Sequence, residues 1–103
     1  MADIQVTRNE AESRWEATLD GKLAGFAQYQ LANELVVFTH TEVDPAFEGK
    51  GVGGALARAA LDDVRGEGTR KVLIVCPFIT GWIARHREYA DLLYGAPGST
   101  AKD

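Results

Sequence analysis

The sequence predicts a single α+β domain, an α/β sandwich in which helices pack on a mixed β-sheet. In the first half of the chain, alternating or β-branched segments are typical of strands. The second half opens with a long segment of helical spacing, and a short apolar run follows it as a further strand. The predicted order is β-β-β-β-α-β-α. A strand, a helix and a strand in succession favour a right-handed parallel crossover.

The first three predicted strands contain one hairpin whose register the sequence leaves open. Ile4 and Val6 indicate a short strand, and polar and apolar residues then alternate from Arg14 to Leu19. Asp20-Gly21 is typical of a hairpin turn, because glycine accepts a positive φ. The next strand covers Leu23 to Leu31. A two-residue loop would pair Leu19 with Lys22 and misalign the apolar faces, whereas a three-residue loop would pair Leu19 with Leu23.

The remaining elements follow from turn residues and from periodicity. Asn33-Glu34 predicts a turn, and a β-branched strand runs from Leu35 to Val43 until Asp44-Pro45 ends it. A helix is predicted over Val52–Arg65, and two glycines beyond it stop it. The apolar run Lys71–Cys76 predicts a strand buried on both faces.

The last part of the chain predicts helical structure followed by a tail. Residues 78–94 are predicted to form one broken helix or two short ones, and residues 95–103 a disordered tail beyond a domain of residues 1–94. The aromatic residues predicted to lie in the core are Trp15, Phe26, Phe78 and Trp82.

Composition excludes several classes of function. The chain has 103 residues, with 15 acidic and 11 basic side chains and a net charge of -4. This balance argues against general nucleic-acid binding and against docking on an anionic membrane. Cys76 is the only cysteine, so no intramolecular disulfide can form. The sequence shows neither the pattern of a signal peptide nor a membrane-spanning apolar stretch, so we expect a cytoplasmic protein. We also expect no metal site.

The glycine-rich bend Glu48-Gly49-Lys50-Gly51-Val52-Gly53-Gly54 lies between a strand end and a helix start. Glycines there allow an anion to approach the backbone, and the unbonded N–H groups of the first helical turn point at it. The sequence therefore predicts a diphosphate site, although a tight turn without a ligand remains an alternative. A dinucleotide-binding fold is disfavoured because four strands precede the bend. A Walker A loop is excluded because Ala55-Leu56 follows Gly54.

The segment Val43–Leu56 resembles the acyl-CoA-binding motif of GNAT-type N-acetyltransferases. The chain is similar in particular to a short GNAT-like family of about 100 residues, whose members carry a strand ending in Cys-Pro and a later His-x-x-Tyr segment. Here these are Cys76-Pro77 and His86-Arg87-Glu88-Tyr89, and the likeness extends over about residues 5–94. One position departs from the motif, because Glu48 stands where Arg or Gln is usual.

The resemblance implies an acetyl-CoA-dependent N-acetyltransferase acting on a small-molecule or protein amine, as a monomer or weak dimer. The pyrophosphate of acetyl-CoA would bind the bend, and the pantetheine arm would lie in a V-shaped splay between two central strands. The implied cofactor-binding residues are Thr41, Glu42, Val43, Gly49, Lys50, Gly51, Val52, Gly53 and Gly54, and the implied catalytic residues are Cys76 and His40.

Each of these side chains also has a structural interpretation. Cys76 can be a small buried hydrophobic residue, and His40 can be a core histidine because it alternates with Val36 and Phe38. His86 can contact the cofactor or end a helix, and Tyr89 can be a general acid or a packing residue. A non-catalytic acyl-CoA-binding module is the alternative function. A cysteine phosphatase is excluded because Trp82 stands where that chemistry needs arginine.

Overall fold

The computed structural model describes residues 4–94, which form one five-stranded sheet in the order β1-β2-β3-β4-β5. The strands are β1 Ile4–Asn9, β2 Arg14–Leu19, β3 Lys22–Ala32, β4 Leu35–Val43 and β5 Lys71–Ile74, the helices are α1 Val52–Glu67 and α2 Pro77–Arg85, and 3-10 turns cover Pro45–Phe47 and Arg87–Leu92. β1 to β4 are antiparallel, and β4 and β5 are parallel. The predicted α+β class is confirmed, and the predicted tail at residues 95–103 lies outside the described residues.

A bulge in the β2–β3 hairpin resolves the open register. The loop has two residues, so Leu19 pairs with Lys22, and Asp20 and Gly21 both have positive φ. One strand residue further on, Ala24 is inserted, so that Ala17 pairs with Gly25. The bulge realigns the two strands, and Ala24 is itself fully buried. The favoured turn and a continuous apolar face are therefore both retained.

A second bulge, in β4, changes the face on which the following residues lie. Phe38 pairs with Tyr29 and His40 pairs with Gln28, which leaves Thr39 as the extra residue. Phe38 is buried on the face of the sheet that packs against α1, which we call the inner face. Beyond the bulge the alternation is reversed, and His40 is exposed on the opposite, outer face. The interpretation of His40 as a core residue is therefore wrong.

β5 lies at the edge of the sheet, so the prediction of a strand buried on both faces is wrong. Leu73 is 41% exposed and Val75 is 64% exposed, and the strand ends at Ile74 instead of continuing to Cys76. On its far side, the described residues contribute a single bridge, between Val72 and Leu93. The apolar run reflects burial of its inward side chains only.

α1 packs on the inner face and α2 packs beside it, enclosing one hydrophobic core. Trp15 and Trp82 are buried in this core, as predicted. Phe26 and Phe78 are not: Phe26 is half-buried on the outer face beneath the guanidinium of Arg14, and Phe78 is 41% exposed. Within the described residues, no helix is long and apolar enough to cross a membrane.

Candidate functional site

A gap opens between β4 and β5 where their pairing stops. The last pair is Phe38 with Ile74, and the Phe38 carbonyl accepts hydrogen bonds from the N–H groups of Val75 (2.9 Å) and Cys76 (3.2 Å). The chain then enters α2, while β4 continues to Val43, paired with β3 but no longer with β5. The predicted V-shaped splay is therefore present. Its second arm is an edge strand and not a central one.

The arm of β4 beside this gap directs free peptide groups into it. The Asp44 N–H donates to the Ala24 carbonyl in β3 at 2.8 Å. Because peptide groups alternate in direction along a strand, Glu42 also points to β3, and Thr41 and Val43 point into the gap. Among residues 4–94, no backbone hydrogen bond joins Thr41 or Val43 to β5. These two residues therefore present an unpaired strand edge.

The glycine bend leads from the end of β4 to the start of α1. Gly49 and Gly51 have φ of 82° and 85°, in the left-handed region that glycine adopts without strain. Gly51 is the N-cap of α1, no side chain caps the helix, and its first turn holds no acidic residue. The N–H groups of that turn have no side-chain hydrogen-bond partner among the described residues, and Lys50, just before them in the chain, is exposed. Glu48, the departure from the motif, is exposed as well.

The other two glycines of the bend have a packing role that the sequence did not reveal. A methyl group at Gly53 would lie 2.6 Å from Cζ of Phe78, and one at Gly54 would lie 3.4 Å from Nε1 of Trp82. Aromatic side chains of α2 thus occupy the space that side chains on the first turn of α1 would fill. The cost of these glycines in a helix therefore has a structural explanation, and their predicted role in cofactor binding stays a prediction.

The two predicted catalytic side chains lie on opposite faces of β4. Cys76 is the N-cap of α2, is 3% exposed, and its Sγ donates to Oγ1 of Thr41 at 3.3 Å. Residues 40 and 41 point to opposite faces, so His40 lies on the outer side, with 57% of its side chain exposed. Its Nε2 is 3.6 Å from Oε1 of Glu42. The catalytic roles of Cys76 and His40 stay predictions.

The other two aromatic candidates are held by α1 and α2. Nδ1 of His86 is 2.8 Å from the Trp82 carbonyl, and its ring stacks on Trp82 at 3.8 Å. His86 therefore ends α2. The buried hydroxyl of Tyr89 donates to Asp62 at 2.7 Å, and this hydrogen bond raises the pKa of Tyr89. Within the described part of the chain, no group of His, Cys, Asp and Glu is suited to a metal ion.

A cavity of about 220 Å³, which the sequence does not reveal, lies on the outer face. It lies where β3 and β4 approach the bend, and it is lined by Leu23, Ala24, Gly25, Phe26, Glu42, Asp44 and Pro45. The two bulges decide which of these side chains share a face. Neither bulge has a marker in the sequence, so simple alternation could not have assembled the set.

Residues 14–92 match the sequence model of the family described as GCN5-related N-acetyl-transferase. No curated protein sequence matches the chain. A GCN5-like putative N-acetyltransferase from Staphylococcus aureus has a similar fold, with 20% identity, full coverage of both chains and a TM-score of 0.69.

Two longer enzymes match over part of their length. The ribosomal-protein-S18-alanine N-acetyltransferase from Escherichia coli is 25% identical over 73% of this chain and 49% of its own, with a TM-score of 0.59. Ard1 from Thermoplasma volcanium is 26% identical over 77% of this chain and 55% of its own, with a TM-score of 0.56. The chain thus spans about half the length of each.

Proposed function

We propose that this chain, which belongs to the GCN5-related N-acetyltransferase family, transfers an acetyl group from acetyl-CoA to an amine. The observation that carries the proposal is the gap between β4 and β5, whose open end meets the uncapped start of α1. Val43 at that end pairs with Gly25, and a methyl group on Gly25 would lie 3.2 Å from Cγ1 of Val52, the first residue of α1. An extended ligand with an anionic group can therefore contact both features.

The residues of this site fit acetyl-CoA. The N–H groups of the bend and the first turn of α1, with Lys50, suit a pyrophosphate. The free peptide groups of Thr41 and Val43 suit the amide groups of a pantetheine arm, which would pair as an added strand does. The exposed carboxylate of Glu48 lies in solvent, where water screens its repulsion of a phosphate.

Acetyl-CoA supplies the acetyl group as a thioester: the nitrogen of a neutral amine bonds to its carbonyl carbon, and the C–S bond breaks. The nitrogen loses one proton and the sulfur gains one, so the products are an amide and the CoA thiol. We assign His40 as the base that accepts the amine proton, because its imidazole is exposed on the outer face, with its Nε2 3.6 Å from the Glu42 carboxylate. The Cys76 thiol lies on the inner side and donates to Thr41. With no imidazole to stabilise its thiolate, Cys76 is better suited to line the pocket than to accept the acetyl group, so the amine attacks directly.

A matched pair of glycine substitutions tests the cofactor site. Gly51 and Gly68 cap opposite ends of α1, both have left-handed φ, and a methyl group at either would meet nothing within 4 Å. Gly51→Ala and Gly68→Ala should therefore lose similar stability, roughly 1–2 kcal/mol. Only Gly51→Ala places a methyl group where the pyrophosphate approaches, so we expect its affinity for CoA, measured by calorimetry, to fall about tenfold or more, a loss of at least ~1.4 kcal/mol.

Three results would count against this assignment in different ways. A wild-type chain that binds neither CoA nor acetyl-CoA would reject the proposed function. Unchanged affinity in a folded Gly51→Ala variant would reject the bend as the phosphate site. CoA binding without thiol release against a panel of primary amines would identify the chain as a non-catalytic acyl-CoA-binding module.

A further inference from the structure

The cavity on the outer face, which we call the outer cavity, combines apolar walls with two carboxylates. Leu23, Phe26 and Pro45 supply the walls, and Glu42 and Asp44 supply the charge. Its volume is about 220 Å³. Since a cavity of about 150 Å³ can hold benzene, the outer cavity has room for a single ring with a short side arm.

The outer cavity borders the proposed base. Glu42 lines the cavity, and its Oε1 is 3.6 Å from Nε2 of His40. The ring of Phe26, which also lines the cavity, has its centroid 6.1 Å from that of His40. A molecule seated in the cavity can therefore extend an amine along Glu42 to His40, on the side of β4 opposite Cys76.

The charge of this region favours a cation. Among the described residues, the cavity lining includes no lysine or arginine. Arg14 lies over the Phe26 ring at 4.7 Å, but its Nε donates to Glu16 at 2.7 Å. This hydrogen bond lowers the pKa of Glu16 and so keeps that carboxylate ionised beside Arg14. The charges of Glu42 and Asp44 are therefore not neutralised by Arg14.

We propose that the outer cavity is the acceptor subsite and that it selects a primary amine which arrives as an ammonium ion on an apolar or aromatic group. The inference rests on the proposed acetyl transfer. Glu42 and Asp44 attract the cation, and Leu23, Phe26 and Pro45 contact its apolar part. Glu42 acts through charge on the bound acceptor, and Asp44 is a specificity residue remote from the reacting atoms.

The proton balance of this reaction assigns a separate role to His40. An ammonium ion cannot attack, so one proton passes to His40 before the C–N bond forms. The nitrogen loses a second proton after attack, and the CoA sulfur gains one when the C–S bond breaks. The sum is one ammonium ion and one thioester converted to one amide, one thiol and one proton, with no oxidant or reductant.

Binding of three probes of matched shape tests the subsite without relying on turnover. Phenethylamine is a cation, 2-phenylethanol is neutral and 3-phenylpropionate is an anion. In amide NMR titrations of the full chain, we expect phenethylamine to shift the signals of Phe26, Glu42 and Asp44 in a saturable way, the alcohol to bind about tenfold more weakly, and the anion not to bind. Asp44→Asn combined with Glu42→Gln should remove the preference for the cation, and Glu34→Gln, an exposed carboxylate in the β3–β4 turn, should leave it intact.

Kinetics separates recognition from chemistry. Asp44→Asn retains the oxygen that accepts from the Ala46 N–H, so the local turn is preserved. We expect this variant to raise KM for phenethylamine several-fold, with kcat and CoA affinity unchanged. Absence of amine-induced shifts at the outer cavity, or an unchanged cation preference in the double variant, would overturn the subsite while leaving acetyl transfer intact. Shifts at the outer cavity in a chain that does not bind CoA would show that the cavity binds the amine, but would reject acetyl transfer and with it the role of the cavity as an acceptor subsite.

Discussion

At the scale of single residues, one inserted residue decides what the site can do. Without the bulge at Thr39, His40 would follow Val36 and Phe38 onto the inner face, close to the core. With it, the imidazole lies on the outer face and the Thr41 hydroxyl lies on the inner face against Cys76. β4 therefore separates the Cys76 thiol from the His40 imidazole, and these two side chains do not form a pair.

This separation predicts different effects for two alanine substitutions. His40→Ala should lower kcat by about 100-fold or more, because a general base contributes roughly that much. Cys76→Ala should retain most of kcat, because the buried thiol only lines the gap and donates to Thr41. Steady-state kinetics compares the variants, and intact-mass measurement after exposure to acetyl-CoA should find no acetyl group on Cys76. An acetylated Cys76 that forms and decays at the rate of turnover would instead support a covalent route.

The sequence suggests two side chains for the candidate site, but it does not predict the faces of β4 on which they lie. The resemblance implies catalytic roles for Cys76 and His40, and their side chains lie on opposite sides of β4. Their faces were not predictable, because a bulge depends on how a strand pairs with its neighbour. Thr39 carries no signal comparable to Asp20-Gly21, whose turn was predicted correctly.

At the scale of elements, close packing at Gly25 holds β3, β4 and α1 together beside the open end of the gap. A methyl group there would lie 2.6 Å from the Glu42 carbonyl oxygen and 3.2 Å from Cα of Val43. Both are backbone atoms of β4, which cannot move without shifting the strand. Gly25 therefore sets the spacing between the strands that form the candidate site.

We accordingly expect two glycine-to-alanine substitutions to have opposite signs. Gly25→Ala should lower the free energy of unfolding by about 1–3 kcal/mol, because the added methyl group overpacks a rigid contact. Gly66→Ala should raise it by about 0.4–1 kcal/mol, since a methyl group there meets nothing within 4 Å and the residue lies inside α1. Urea denaturation measures both. A neutral Gly25→Ala would show that β4 can shift without loss.

The strands and α1 were predictable because each carries its own periodicity, and their order followed from the chain. The position of β5 in the sheet was not predictable from the sequence. An apolar run is equally consistent with a central strand and with an edge strand whose outer side chains are exposed, as Leu73 and Val75 are. The neighbours of a strand are set by the whole sheet, and only the structure shows that few described residues lie beyond β5.

At the scale of the whole molecule, the last described turn is tied back to α1 and β5 by polar contacts. Arg65 in α1 holds both carboxylate oxygens of Asp91, at 2.8 and 3.0 Å, and also donates to the Glu88 carbonyl. Lys71 donates to the Asp91 carbonyl at 3.0 Å. Arg65 and Lys71 thus both donate to one distant residue, Asp91, the first to its carboxylate and the second to its backbone carbonyl. Beside it the buried Tyr89 packs under Arg58 and Arg65.

These contacts of Asp91 predict how the free energy of unfolding changes at acid pH. The hydrogen bonds from Arg65 hold the pKa of Asp91 below its usual value of 3.8. As the pH falls below 3.8, Asp91 takes up a proton in the unfolded chain before it does so in the folded chain. The stability that ionised Asp91 contributes is therefore present above pH 3.8 and is lost as the pH falls through the folded pKa. Asp91→Asn should therefore be less stable than wild type at pH 7 and lose less stability between about pH 4 and pH 2. Urea denaturation across this range measures the slope, with Glu12→Gln as a variant outside the contact. If Asp91→Asn lost as much unfolding free energy at acid pH as the wild-type chain, the ion pair between Asp91 and Arg65 would not be the source of that loss. Other ion pairs, such as Arg14 with Glu16, would then have to account for the loss.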